Sequence, residues 1–209
     1  MKIGVLTSGG DCPGLNAVIR AITRKGADFD YEVVGILNGW KGLFDESYMP
    51  LNTKTVAGIV NRGGTILGTS RFSPFEEDKG ELTLQNRVNR AGFDALISIG
   101  GEGSMHIAQL AQNLGINIIG VPKTIDNDIN GTDYTFGFDT AVQIATDAID
   151  RLHTTAESHH RIMVLEVMGR HAGWIALHSG MAGGADVIVI PEIKVTINDI
   201  VEVLKNRYT

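Results

Sequence analysis

Residues 2–24, KIGVLTSGGDCPGLNAVIRAITR, hold the reading that decides the fold. A short apolar run at 2–7 gives way to a glycine-rich turn, and from 15 to 24 the apolar positions recur at helical spacing. Strand, glycine turn and helix in that order open an α/β unit, and the pattern continues down the chain. Further strand-like runs lie at 32–37, 95–99, 117–121, 162–168 and 187–190, with helix-like runs at 104–114, 139–154 and 173–181. The expected fold class is therefore α/β round a largely parallel sheet. Asp139 is the expected N-cap of the 139–154 helix, its carboxylate available to unpaired amides of the next turn. Residues 72–86, rich in charge and turn formers, read as an exposed, mobile excursion. The stretch 196–207 starts like a helix, with Thr196 and Asp199 spaced as in a capping box. It stops without a turn signal, which gives the expectation of a chain ending partway through an element.

Composition narrows the function classes. A chain of 209 residues that is 43% hydrophobic can bury a substantial core. Its net charge of -6 argues against a general nucleic-acid or acidic-membrane partner, since such binding draws on clustered Lys and Arg. No apolar stretch is long enough for a membrane span or a secretory signal, and the single cysteine, Cys12, fits a reducing compartment, so the expected location is cytoplasmic. The 26 glycines follow no collagen period and form no low-complexity tract, which places them at particular turns.

In open parallel sheets ligands bind at the carboxyl ends of the strands, so the loops there are the candidates. TSGGDCPG at 7–14 leaves successive amides free to point at an anion; it is either a phosphate cradle or a tight strand-to-helix turn, and it has neither Walker nor dinucleotide spacing. GGTILGTSR at 63–71 ends in Arg71, whose donor fork matches phosphate oxygens, although a lone loop arginine is more often simply solvated. In GGEGS at 100–104 a carboxylate, Glu102, sits inside an anion-binding turn. That makes sense if Mg²⁺ lies between it and phosphates, or if Glu102 merely favours the helix dipole. PKTIDND at 122–128 carries two carboxylates two residues apart, one able to act as general base and the other as metal ligand or orienting acceptor. The competing reading is an Asx turn. Arg161 and Arg170 bracket the run at 162–168, so both cannot face one pocket of one subunit without help from folding or assembly. His159 and His160 receive no metal role, because adjacent side chains diverge.

Together GVLTSGGDCPGLNAVIR at 4–20, GGTILGTSR at 63–71, IGGEGS at 99–104, PKTIDNDI at 122–129 and VMGRHAGWIA at 167–176 resemble the phosphofructokinase family in order and spacing, over nearly the whole chain. The similarity is greatest to the actinobacterial-like branch, which pairs a Glu in the GGEG loop with the Lys of PKTIDND. The resemblance implies Rossmann-like three-layer parallel sheets in two similar domains, with a donor-binding domain at 1–138. The first part of a fructose 6-phosphate-binding domain follows at 139–209, and family members run a hundred residues or more further. It implies Mg²⁺-dependent phosphoryl transfer to the 1-hydroxyl of fructose 6-phosphate, as in glycolysis. Gly10, Arg71, Phe72, Gly101, Glu102, Gly103 and Ser104 would then serve the donor, with Glu102 on the metal. Thr124, Ile125 and Asp126 would meet the sugar phosphate, Asp126 as base, with Asp128 and Thr124 assisting. Met168, Gly169 and Arg170 would contact fructose 6-phosphate, and Arg161 would be contributed across an interface of a homotetramer, which answers the bracketing problem.

Two departures from the family pattern bear on the donor and on control. Lys123 resembles members that use pyrophosphate, but those carry aspartate where this chain has Gly103. A glycine there leaves room for the α-phosphate and nucleoside of ATP, so ATP is the expected donor and pyrophosphate the alternative. Arg20 and Arg24 match basic positions of the family's effector site, while His153 stands where regulated relatives place arginine, so allosteric response is expected to be weakened or altered. The NAD and lipid kinases share an IGGEGS-like loop but not PKTIDNDI or VMGRHAGW. A non-catalytic sugar-phosphate-binding subunit would be expected to lack the base, and Asp126 is present.

Overall fold

The computed structural model describes residues 1–207. They form two compact units, Met1–Thr124 and a second beginning at Ile125. Compactness thus divides the chain ahead of the 138/139 boundary read from the sequence.

The first unit is a three-layer α/β sandwich. Strands β1 (Lys2–Ser8), β2 (Glu32–Ile36), β3 (Tyr48–Leu51), β4 (Ala95–Gly100) and β5 (Ile118–Thr124) lie in the order β3-β2-β1-β4-β5. All neighbours are parallel except β2 and β3. Alternation along each strand fills both faces. Leu6, Val34 and Leu96 point to one core with Trp40, Leu43, Leu84 and Val88. Val5, Val33 and Ile99 point to the other with Leu15, Val18 and Ile19. Helix α1 (Leu15–Asp28) therefore covers the second face, while α2 (Trp40–Phe44), α3 (Gly80–Ala91) and α4 (Glu102–Asn113) supply residues to the first.

The second unit contains a two-residue strand, β6 (Phe136–Gly137), and helices α5 (Phe138–His159), α6 (Trp174–Ala182) and α7 (Ile197–Arg207). Phe138, Ala145 and Ile175 form its small core, with Ile125 and Val167 packed against them.

The first four strand-like runs and all four helix-like runs of the sequence appear, with boundaries moved by a few residues. Four expectations are corrected. Residues 162–168 and 187–190 lie in no ladder: a β-branched run becomes a strand only where a neighbour takes its hydrogen bonds, and no described segment of the second unit does so. Asp139 is not the N-cap of α5. Gly137, in the left-handed conformation at φ 111, starts that helix, and Asp139 falls in its first turn, where its charge suits the dipole. The excursion at 72–86 is structured instead, with a 3₁₀ turn at Pro74–Glu76 leading into α3. Its charges face solvent while Leu84 and Val88 recur one turn apart and are buried. The pair at the start of α7 does form a capping box. The Thr196 amide and hydroxyl donate to Asp199 Oδ2 at 2.8 and 2.7 Å, and the Asp199 amide returns 3.3 Å to the Thr196 hydroxyl.

If α3 is core rather than a mobile loop, Leu84→Ala leaves a cavity under the sheet and destabilises the protein by about 2–5 kcal/mol. Urea unfolding of the two proteins, compared at equal slope, measures it.

Candidate active site

The parallel register brings three strand ends side by side. Ser8 pairs with Gly100 across β1 and β4, and Gly100 pairs with Pro122 across β4 and β5. The loop after β1 is fastened at Gly9, whose amide donates 2.9 Å to the Ser70 carbonyl and whose carbonyl accepts the Thr69 hydroxyl at 2.6 Å. The 63–71 loop is tied down in turn by Asn16 of α1. Asn16 is buried, its Nδ2 3.0 Å from the Arg62 carbonyl and its Oδ1 accepting the Ile66 amide at 2.8 Å. Thr7 adds a hydroxyl bond of 2.7 Å to the Gly68 carbonyl, and Ser70 one of 2.7 Å to the Asn38 carbonyl. Arg71 thus leaves a fixed backbone while its side chain stands exposed. Phe72 turns its ring inward, edge-on to Phe44 at 5.0 Å between centroids, so any contact it makes with a donor is through its backbone or ring edge.

Gly101 is the residue before α4, and Glu102 and Gly103 are exposed in its first turn. Ser104 is buried. A β-carbon on Gly100 would collide with the Ser104 side chain and the Ser8 carbonyl, so protein packing alone requires glycine there. Gly10 and Gly103 differ: a β-carbon on either would meet no protein atom within 4 Å. Glu102 and Asp11 of the β1 loop are both exposed carboxylates at this edge. Among the described residues no three His, Cys, Asp or Glu side chains gather as a metal cluster. One carboxylate completed by phosphate oxygens is a donor set that Mg²⁺ accepts.

Lys123 was singled out in the sequence for donor choice, but its setting was not legible there. It is 4% exposed, and its ammonium donates to the Gly10 carbonyl, placing a buried cation directly behind the loop that follows β1. Beside it Cys12 is buried. Burial pushes its thiol up to about 11, with Lys123 pulling down and Asp11 pushing up.

In the second unit Ile125 and Asn127 anchor the chain on both sides of Asp126. Ile125 packs against the Phe138 core. Asn127, left-handed at φ 53, donates 3.2 Å to the Asp133 carbonyl and accepts the Thr135 amide at 2.9 Å. Nothing in the DND motif marks its middle residue as the clamp, and the tolerance of asparagine for positive φ was the signal available. Burial raises the Asp126 carboxyl above the usual carboxylate value, the charge of Asp128 raises it further, and Arg170 opposes both. Asp128 is exposed, and Thr124 ends β5 in the first unit. Gly169 and Arg170 both have positive φ, 151° and 54°. Arg170, Met168 and Arg161 are exposed and Gly169 is buried. Arg161 follows the left-handed cap of α5 at His160, and its amide closes the helix on the Ala156 carbonyl at 3.0 Å. The HHR cluster is therefore a helix ending that delivers an arginine.

The first unit carries glycine loops at its strand ends, and the second carries a carboxylate raised by burial and opposed by an arginine; groups of both kinds serve phosphoryl transfer. The sequence model of the family described as phosphofructokinase matches residues 2–209, and the chain belongs to that family. It is 55% identical over its whole length to the pyrophosphate–fructose 6-phosphate 1-phosphotransferase of Streptomyces coelicolor, covering 61% of that protein. To ATP-dependent 6-phosphofructokinase 3 of the same organism it is 54% identical, covering 62%. The chain thus spans about three-fifths of the length of these relatives. Among solved structures it matches phosphofructokinase from Saccharomyces cerevisiae with a TM-score of 0.90 and 34% identity, over 99% of this chain and 32% of that one.

The environment of Cys12 makes a direct prediction. With its thiol near 11, alkylation by iodoacetamide at pH 8 in the folded protein is about a hundredfold slower than that of an ordinary cysteine, and it recovers on unfolding. Labelling followed by mass spectrometry tests it.

Proposed function

We propose that the protein of which this chain forms part is a 6-phosphofructokinase that transfers the terminal phosphoryl group of ATP to the 1-hydroxyl of fructose 6-phosphate. The observation that carries this reading is Asp126, held between two anchored neighbours, raised by burial and by Asp128, and opposed in this by the charge of Arg170. A base is most useful when its proton affinity is lifted toward the working pH without being lost to solution. Asp126 accepts the proton of the attacking hydroxyl, and Asp128 keeps that affinity high and orients the acceptor together with Thr124. Ile125, Met168, Gly169 and Arg170 bind the sugar phosphate, joined by Arg161 from a neighbouring subunit of a homotetramer. Gly10, Gly101, Gly103 and Ser104 seat the donor phosphates, with Arg71 across the transferred group and Phe72 at the edge. Glu102 would hold Mg²⁺, which supplies charge neutralisation on the phosphates when bound.

ATP is the proposed donor because the space over Gly103 is open, and a side chain there would take the room of the α-phosphate. Pyrophosphate is the second reading, favoured by buried Lys123 against the Gly10 loop, since a fixed cation suits a short, highly charged donor. Relatives of both names stand at nearly equal identity, 55% and 54%.

A coupled assay with each donor separates the two. ATP turnover is expected to exceed that with pyrophosphate, and Gly103→Asp is expected to lower kcat/KM for ATP about a hundredfold by placing a like charge beside the phosphates. Turnover with pyrophosphate alone would overturn the choice of ATP, and turnover with neither would overturn the kinase reading.

The acid limb of the pH profile reports the base. Asp128→Asn removes one of the two influences that raise the Asp126 carboxyl, so besides lowering the rate it moves that limb to lower pH. An unmoved limb, measured in kcat/KM for fructose 6-phosphate, would take the titrating role away from Asp126.

A further inference from the structure

The turn that carries Arg170 is held from outside itself. Gly169 and Arg170 take positive φ in succession, a conformation side chains disfavour, and within the turn the Ala172 amide closes on the Gly169 carbonyl at 2.8 Å. The next amide, that of Gly173, donates 2.8 Å to Oε1 of Glu192. The Gly173 carbonyl meanwhile accepts the Leu177 amide at 2.8 Å and so opens α6. Gly173 is a joint between the Arg170 turn, the helix and the segment of Glu192.

That segment is a second turn, closed by the Ile193 amide on the Ile190 carbonyl at 3.3 Å. The two turns also interlock by packing. A β-carbon on Gly173 would stand 2.5 Å from Cβ of Ile190 and 2.7 Å from Oε2 of Glu192. Gly173 is buried, so the contact cannot open without moving one turn off the other. A carboxylate accepting a backbone amide is a charge-assisted bond, stronger than the amide–carbonyl bond inside the turn.

We propose that Glu192 is a positioning residue for the acceptor side of the site: by accepting the Gly173 amide it fixes the 169–173 turn and with it the aim of Arg170. This rests on the sugar-phosphate reading given above. Glu192 itself needs to touch no reactant. Its side chain acts on Arg170 through three residues of backbone.

The test compares the intact enzyme with Glu192→Ala and Glu192→Gln, by steady-state kinetics and by amide hydrogen exchange at Gly173. Glu192→Ala is expected to raise KM for fructose 6-phosphate about three- to tenfold, the loss of one hydrogen bond, with kcat and the donor KM little changed. Glu192→Gln keeps an oxygen acceptor and restores most of the loss. The Gly173 amide is expected to be protected in the wild type and to exchange faster in Glu192→Ala. An unchanged sugar-phosphate KM in the alanine variant, equal losses for both substrates, or a glutamine variant as impaired as alanine would each overturn the proposal. So would a Gly173 amide that exchanges as freely as a solvent amide in the wild type, a measurement that stands even if the alanine variant does not fold. A wild-type enzyme inactive on fructose 6-phosphate would refute the sugar-phosphate reading instead, and the exchange data would still decide whether the clamp exists.

Discussion

The hydrogen-bond register of β1, β4 and β5 places Ser8, Gly100 and Pro122 side by side, and the arrangement of the loops that follow them depends on it. Parallel strands deliver their carboxyl ends to one edge of the sheet, so three loops far apart in sequence become neighbours without any long-range bond between their side chains. The close approach at Gly100 then lets Ser104 fold back toward the β1 loop, and the same edge brings Lys123 to the Gly10 carbonyl. A slip of one residue would turn every apolar side chain of a strand to the wrong face, so the register is fixed by burial on both faces of the sheet.

Much of this was legible in the sequence because the signals are local. The glycine turns, the apolar periods and the capping pair Thr196–Asp199 each declare themselves within a few residues. What was misread was set by distant partners. Residues 162–168 have the composition of a strand, but a strand exists only in a ladder, and the described second unit offers none to them. The charge of 72–86 hid α3, since its fully buried apolar side chains are only Leu84 and Val88. At the site, the residue types of the DND and GGEGS motifs were readable, whereas the clamp of Asn127 on Thr135 and the burial of Lys123 depend on contacts across eight residues or more than a hundred.

Asp126 and Asp128 illustrate how a single loop gives like residues unlike surroundings. Asp126 lies between Ile125, which is drawn into the core, and Asn127, which is tied to the following loop, so it is carried partly out of water. Asp128, two residues on, is exposed. The charge of Asp128 adds to the effect of burial in raising the Asp126 carboxyl.

The glycines separate structural from ligand-directed constraint. Gly100 is required by its own neighbours, since a side chain there would strike Ser104 and Ser8. Gly9 adopts a positive φ of 85°, which also needs no ligand to explain it. Gly10 and Gly103 have neither reason. Their φ angles are not left-handed, and no protein atom stands within 4 Å of where a β-carbon would be. Glycine at an interior or first-turn helix position costs stability relative to alanine, so Gly103 works against α4 as far as the protein alone is concerned. What the two residues share is the open side of the cradle, where an anion approaching the backbone amides would need the space a side chain removes. The same argument gives Lys123 its place: a buried ammonium behind an open loop is stabilised by a carbonyl in front of it and by whatever negative charge the loop admits. The volume over Gly103 and the charge behind Gly10 are thus separate features of one sheet edge, the first set by a missing side chain and the second by Lys123.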